Sequence, residues 1–145
     1  MYNRQIASLL FNIATMLDSA QDNLYRVRAY RRAARRILAL REEAAAIVAR
    51  GEALPLPGVG ARIRRKLAEL IANGSLNFYQ ELLDDQPAHI RALLSVEGIG
   101  PITAQQLYEG LGIDTPEALI FELDDTGLIC HVAIYIQRVG PDAPS

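Results

Sequence analysis

Apolar positions recur at helical spacing along nearly the whole chain, and period-two alternation is scarce. Ile6, Leu9, Leu10, Ile13 and Leu17 make one stripe of a first helix, with Asn3 its expected N-cap. A second helix is expected from about Asp22 to Leu40, with Val27, Tyr30, Ala33, Ala34 and Ile37 on its apolar side. The Ala-rich stretch Arg41 to Arg50 predicts a third, stopped by Gly51. Then comes Leu54-Pro55-Leu56-Pro57-Gly58-Val59-Gly60, a rigid turn opening into a helix that carries Ile63, Leu67, Leu70 and Ile71 and ends at Gly74. A short helix is expected around Phe78 to Leu83, and another opens after Pro87. The event then repeats. Ala92-Leu93-Leu94-Ser95-Val96 leads into Gly98-Ile99-Gly100, and Pro101 starts a helix through Ala104 and Leu107. Thr115-Pro116-Glu117 supplies an N-cap, an N1 proline and a first-turn acid for a last short helix. Leu128 to Val139 fits either a strand or a helix, and Pro141 to Ser145 a frayed tail. The expected fold is all-α, a small helical bundle whose short connections make neighbouring helices antiparallel. Three segments are expected: 1–84 and 85–127, each with one glycine turn, and a C-terminal 128–145.

Composition narrows the class. Half of the 145 residues are hydrophobic, enough for a core and too many for a wholly disordered chain. No apolar run reaches the roughly 18–20 residues of a membrane span. Met1-Tyr2-Asn3-Arg4 passes straight into an amphipathic pattern, which predicts no export signal. Cys130 stands alone, so neither an internal disulfide nor a Cys-based zinc site is expected. His89 and His131 lack a ligand-spaced carboxylate or thiol. The expectation is a soluble protein of the cytoplasm, at the nucleoid if the cell is bacterial.

Charge changes the picture more. The net charge of −2 hides two opposed parts: residues 1–66 sum to +8 and the remainder to −10. A basic half suggests a polyanionic partner. At about 100° per residue, Arg28, Arg32 and Arg35 share one helical stripe, flanked by Arg31 and Arg36, opposite the apolar side. A solvated helix face is the plain alternative. Yet five arginines with no interleaved acid repel one another unless neutralised, and a DNA backbone neutralises them through counterion release.

The two Gly-hydrophobic-Gly turns have a mechanism. Glycine lets the backbone pass close to a ligand, and each turn feeds a helix N-terminus whose unpaired N–H groups suit a phosphate. Val59 and Ile99 would anchor the turns, and Gly58, Gly60, Gly98 and Gly100 would meet backbone phosphates without reading sequence. A single such turn is usually structural; two, about forty residues apart, are a pattern. The second copy is the more acidic, with Glu97 and no base before Arg138.

Lys66 is the only lysine among 15 basic residues. Arg62, Lys66 and Glu69 share one helix face, and Lys66 borders the stripe of Ile63, Leu67 and Leu70. A Schiff-base nucleophile must be a neutral amine, which arginine cannot supply. Like charge from Arg62, Arg64 and Arg65 and partial desolvation would both favour that neutral form. The alternative is a lysine surviving by chance in an arginine-rich sequence.

Leu56-Pro57-Gly58-Val59-Gly60 and Val96-Glu97-Gly98-Ile99-Gly100-Pro101 resemble the paired helix-hairpin-helix motifs of the family X DNA polymerases, the family of DNA polymerase β. Val27-Arg28-Ala29-Tyr30-Arg31-Arg32-Ala33-Ala34 is similar to a helix of that family's N-terminal lyase domain, and Asn73-Gly74-Ser75-Leu76 to the close of its first motif. The likeness runs from about Asn3 to Thr115. It implies binding to gapped, nicked or 5′-phosphate-bearing DNA in repair. It also implies a 5′-deoxyribose-phosphate lyase with Lys66 as nucleophile. Gly58, Gly60 and Arg62 would place the phosphate, with Arg26 and Tyr30 as further candidates and Tyr25 as a stacking position. No cofactor is required, but backbone carbonyls of Leu54, Leu56 and Val59, and of Leu94, Val96 and Ile99, would each hold a Na+ or K+. The chain departs from the family in carrying Arg65 where animal members have an acid and Leu54 where they have a phosphate-binding lysine. Nothing after Leu119 resembles the polymerase palm, so polymerisation by this chain alone is not expected. A rival reading is a protein-interaction module that kept the scaffold. Its acidic residues Glu81, Asp84, Asp85, Glu122, Asp124 and Asp125 would face a basic partner or a second copy.

Overall fold

A computed structural model describes residues 1–96 and 98–119. All regular structure among them is helical: α1 (Asn3–Ser19), α2 (Leu24–Leu38), α3 (Ala44–Ala49), α4 (Ala61–Asn73), α5 (Asn77–Asp84), α6 (Ala88–Leu93) and α7 (Pro101–Leu111). The all-α expectation holds for these residues. Leu128 to Val139, the terminal tail and His131 and Cys130 lie outside them. No described helix is long and apolar enough to cross a membrane.

The chain divides into two compact units, Met1–Leu82 and a second beginning at Leu83. In the first, α1 is the central element. The sequence stripe marks only part of its burial: Ala7, Phe11, Asn12, Ala14, Thr15 and Met16 are buried as well. The reason is cover on more than one side. α2 lays Val27, Tyr30, Ala33, Ala34 and Ile37 into the same core as Ile63, Leu67 and Leu70 of α4. From α5, the Tyr79 hydroxyl accepts a 3.2 Å hydrogen bond from Asn12 Nδ2. Fully burying each large aliphatic side chain contributes about 1.5–3 kcal/mol, so this shared core holds the four helices together.

Asn3 caps a helix, but a different one from that expected. Tyr2 takes the N-cap position of α1, and its N–H donates to Gln5 Oε1 at 2.8 Å. The Asn3 side chain instead reaches α3: Oδ1 accepts from Ala44 N at 2.7 Å, and Nδ2 donates to Glu42 O at 2.8 Å. α3 is thereby shorter than its Ala-rich stretch. Its far end is clasped by Arg50, whose guanidinium donates to Glu42 and Glu52.

The second unit packs Ile90 and Leu93 of α6 with Ile99, Ala104, Leu107, Ile113 and Leu119. Thr115 caps as expected: its Oγ1 accepts from Ala118 N at 3.1 Å, and residues 116–119 are helical.

Candidate nucleic-acid interface

Each glycine turn is a left-handed step followed by a helix start. Gly58 has φ +79° and Gly98 φ +89°, values that side-chain-bearing residues resist. Val59 N donates to Leu56 O at 3.2 Å and Ile99 N to Val96 O at 3.1 Å, closing equivalent loops. Val59 and Ile99 are buried, as an anchoring role requires. Gly60 and Gly100 are the N-caps of α4 and α7, and neither has a side chain to cap with. The first turn therefore offers the amides at the positive end of α4, whereas α7 begins with Pro101, which has no N–H.

Around the first turn the structure gathers positive charge. Arg28, Arg31, Arg32, Arg35 and Arg36, with Ala39, line an open groove of about 690 Å³ along α2. A Cβ added at Gly58 would lie 3.4 Å from Arg32 Cδ, so the groove runs up to the first turn. Two arginines of α2 have acids that the helix itself does not provide. Asp18, at the end of α1, is 3.6 Å from Arg31, and Asp22 is 3.2 Å from Arg26. Arg28, Arg32, Arg35 and Arg36 have no acidic partner among the described residues. Arg62 and Arg65 are exposed on α4.

A second cluster joins three of the residues singled out around Lys66. The Lys66 ammonium lies 5.0 Å from the centre of the Phe78 ring, and the Arg26 guanidinium 4.9 Å from it. Tyr30 stacks on the same ring, centroids 6.1 Å apart. Tyr30 is buried, 2% exposed, as helical phase requires. Burial pushes its phenol up from the ordinary value, and the Arg26 guanidinium pulls against that shift. Phe78 is the hub of this cluster, and no sequence signal marks it, because its position depends on how α5 folds back on α4. Glu69, on the face of Lys66, is occupied as a cap: its Oε2 accepts from Asn77 N at 2.8 Å. Tyr25 does not cover the core. It is 81% exposed at the start of α2.

Arg64 is the other residue that the sequence reading placed only as a charged neighbour. Its Nε donates to Val59 O at 3.0 Å, Nη1 to Leu54 O at 3.0 Å and Nη2 to Leu56 O at 2.7 Å. These are the three carbonyls that the family likeness implied for a first cation. Leu54 O also accepts from Leu56 N, and Leu56 O from Val59 N. With both lone pairs of two oxygens engaged, this set does not fit a bound Na+ or K+ while Arg64 stays in place. A legible signal existed. Side chains tilt toward the helix N-terminus, so a long residue four positions after Gly60 reaches back over the turn. At the second turn, Gly98, Ile99 and Gly100 sit likewise, with Leu94 and Val96 before them, but position 104 is an alanine buried in the core.

Residues 1–76 match the helix-hairpin-helix domain, and residues 90–129 match the SAM-like helix-hairpin-helix tandem. Over 119 residues the chain is 28% identical to the DNA polymerase/3'-5' exonuclease PolX of Bacillus subtilis (strain 168). That stretch covers 82% of this chain, which spans about a fifth of the length of that relative. Each matched segment contains one of the two glycine turns, so the likeness read from the turns extends well beyond them.

Proposed function

The chain belongs to the helix-hairpin-helix domain family, and from that premise we propose that it binds DNA without reading sequence, preferring gaps, nicks or 5′-phosphate ends. The observation that carries this reading is the arginine groove of α2 running up to the Gly58 turn. Phosphates of one strand would lie along Arg28, Arg31, Arg32 and Arg35. A terminal or kinked phosphate would meet the amides at the start of α4, with Arg62 beside it. The second turn, through Gly98, Ile99 and Gly100, would hold another backbone segment, where the carbonyls of Leu94, Val96 and Ile99 would hold a Na+ or K+. Repair of DNA inside the cell is the setting this reading implies.

Affinity for a gapped 5′-phosphorylated duplex against the intact duplex, measured over a salt series, tests it. The expected result is tighter binding to the gap and a steep salt dependence. Equal affinity for both, or a flat salt response, overturns the structural preference. Self-association that weakens with salt, without DNA binding beyond that of any basic helix, would favour the protein-interaction reading.

The finer reading is 5′-deoxyribose-phosphate lyase chemistry at Lys66, favoured by the convergence of Lys66, Arg26 and Tyr30 on Phe78. The neutral amine attacks C1′ of the ring-opened sugar and water leaves, giving an iminium. Loss of the C2′ proton then expels the 3′ oxygen as the 5′-phosphate end of the DNA, and water releases the unsaturated sugar phosphate from the lysine. With Glu69 engaged as a cap, water is the proton acceptor. Borohydride trapping on DNA bearing a 5′-deoxyribose phosphate reads this directly, since Lys66 and the Met1 α-amine are the only primary amines. Lys66→Ala should abolish the trapped adduct and leave DNA affinity within about threefold. A variant that traps as well as the parent, or a parent that never traps, leaves a DNA-binding module without this activity.

A further inference from the structure

One guanidinium gathers three backbone carbonyls at the first hairpin, from Leu54, Leu56 and Val59, at 2.7–3.0 Å. Carbonyls converging on one point build up negative potential there, and a cation relieves it. Here the cation is covalently part of α4. Arginine keeps its charge at any physiological pH, and its planar fork suits several acceptors at once. A guanidinium has five N–H groups, and the carbonyls use three. One N–H on each terminal nitrogen is left for another acceptor. Arg64 is half-buried, held by the turn yet still in reach of solvent. Arg64 follows Gly60 by one helical turn, and its guanidinium lies back at the hairpin carbonyls that precede α4.

We propose that Arg64 is a built-in substitute for a dissociable cation: it couples the hairpin carbonyls to a DNA phosphate, so that the first hairpin binds phosphate without Na+ or K+. The inference rests on the DNA-binding reading and specifies the source of charge in it. The second hairpin has no such group. Ala104 stands where Arg64 does, and its methyl group lies in the core.

The test uses the full chain and a gapped duplex with a 5′-phosphate, at equal ionic strength in potassium chloride, sodium chloride or tetramethylammonium chloride. Tetramethylammonium is too large to enter a carbonyl cluster. Any cation dependence of the second hairpin is shared by all variants, so the readout is the difference between proteins. Exchanging K+ for tetramethylammonium should weaken Arg64→Ala at least about tenfold more than it weakens the parent, a loss of about 1.4 kcal/mol. Arg64→Ala should also recover part of its affinity in K+ or Na+. If both proteins respond alike to the exchange, the inference fails while DNA binding stands; if the parent binds no DNA in any salt, the DNA reading fails. Should Arg64→Ala not fold, the parent decides alone. Its Arg64 Nε–H resonance should stay protected from exchange as K+ is raised to about 0.3 M. Loss of that protection would mean that K+ displaces the guanidinium, and would overturn the proposal.

Discussion

At the first hairpin, Gly58 passes the chain through Gly60 into α4; at the second, Gly98 passes it through Gly100 into α7. The loops close on equivalent hydrogen bonds, and each helix ends at a left-handed glycine, Gly74 or Gly112. The side chains that follow have little in common. Behind the first turn come Arg62, Arg64, Arg65 and Lys66; behind the second come Ile102, Ala104, Gln105 and Gln106. The first turn also has the α2 arginines beside it. In the second unit His89 stacks on Tyr108, with ring centroids 4.0 Å apart, and shares a 3.0 Å hydrogen bond with Gln105. One backbone device thus occurs in a strongly basic and in a base-poor setting. Backbone amides set where an anion could sit, and the surrounding side chains set how strongly it is drawn there.

The largest test of that contrast removes the charge. Arg28→Ala/Arg32→Ala/Arg35→Ala should lower DNA affinity by about two orders of magnitude at 0.1 M salt. It should also reduce the log–log salt slope by about 2 to 3 units, roughly 0.9 per phosphate lost. Arg91→Ala, which removes the one base of the second unit's described residues, should change that slope by about one unit or less. Equal effects would mean that the two settings do not differ in use.

A smaller effect is expected on stability. Arg64→Ala leaves three carbonyls without their charged donor and should cost about 2 kcal/mol by denaturant titration. No side chain of the second turn makes the equivalent bonds from position 104, so the cost is specific to the first unit.

The smallest effect lies at the Arg50 clasp. Glu42 and Glu52 are held below their ordinary carboxylate value of 4.5, first by hydrogen bonds from Arg50 and then by its charge. A lowered carboxyl in the folded state stabilises above its unfolded value and loses that contribution as pH falls through the folded one. Melting curves of the parent and Arg50→Ala should therefore differ slightly at neutral pH and converge below about pH 4.5. Both carboxylates are exposed, so salt should shrink the difference.

Local rules and tertiary placement explain what the chain discloses of itself. The glycine stops, the Pro101 start and the apolar side of α2 follow from spacing and turn chemistry, and all are legible in the sequence. So is the arginine stripe. The acid at Arg31 is not, because Asp18 comes from the end of another helix. Phe78 beneath Lys66 is equally hidden, since a ring's neighbours across two helices leave no periodic trace. Arg64 is the instructive middle case. Its spacing from Gly60 is sufficient to place it over the turn, but among four bases within five residues it reads only as charge.

The crosswise cap made by Asn3 sets an order of events. A six-residue helix is far shorter than the 12 to 15 residues that approach stability alone in water. α3 gains its first-turn bond from a residue 41 positions earlier in the chain. It therefore consolidates only once the start of α1 has docked, late in folding and early in unfolding. Amide exchange in α3 should report the departure of the N-terminal turn before the core of α1 and α2 opens.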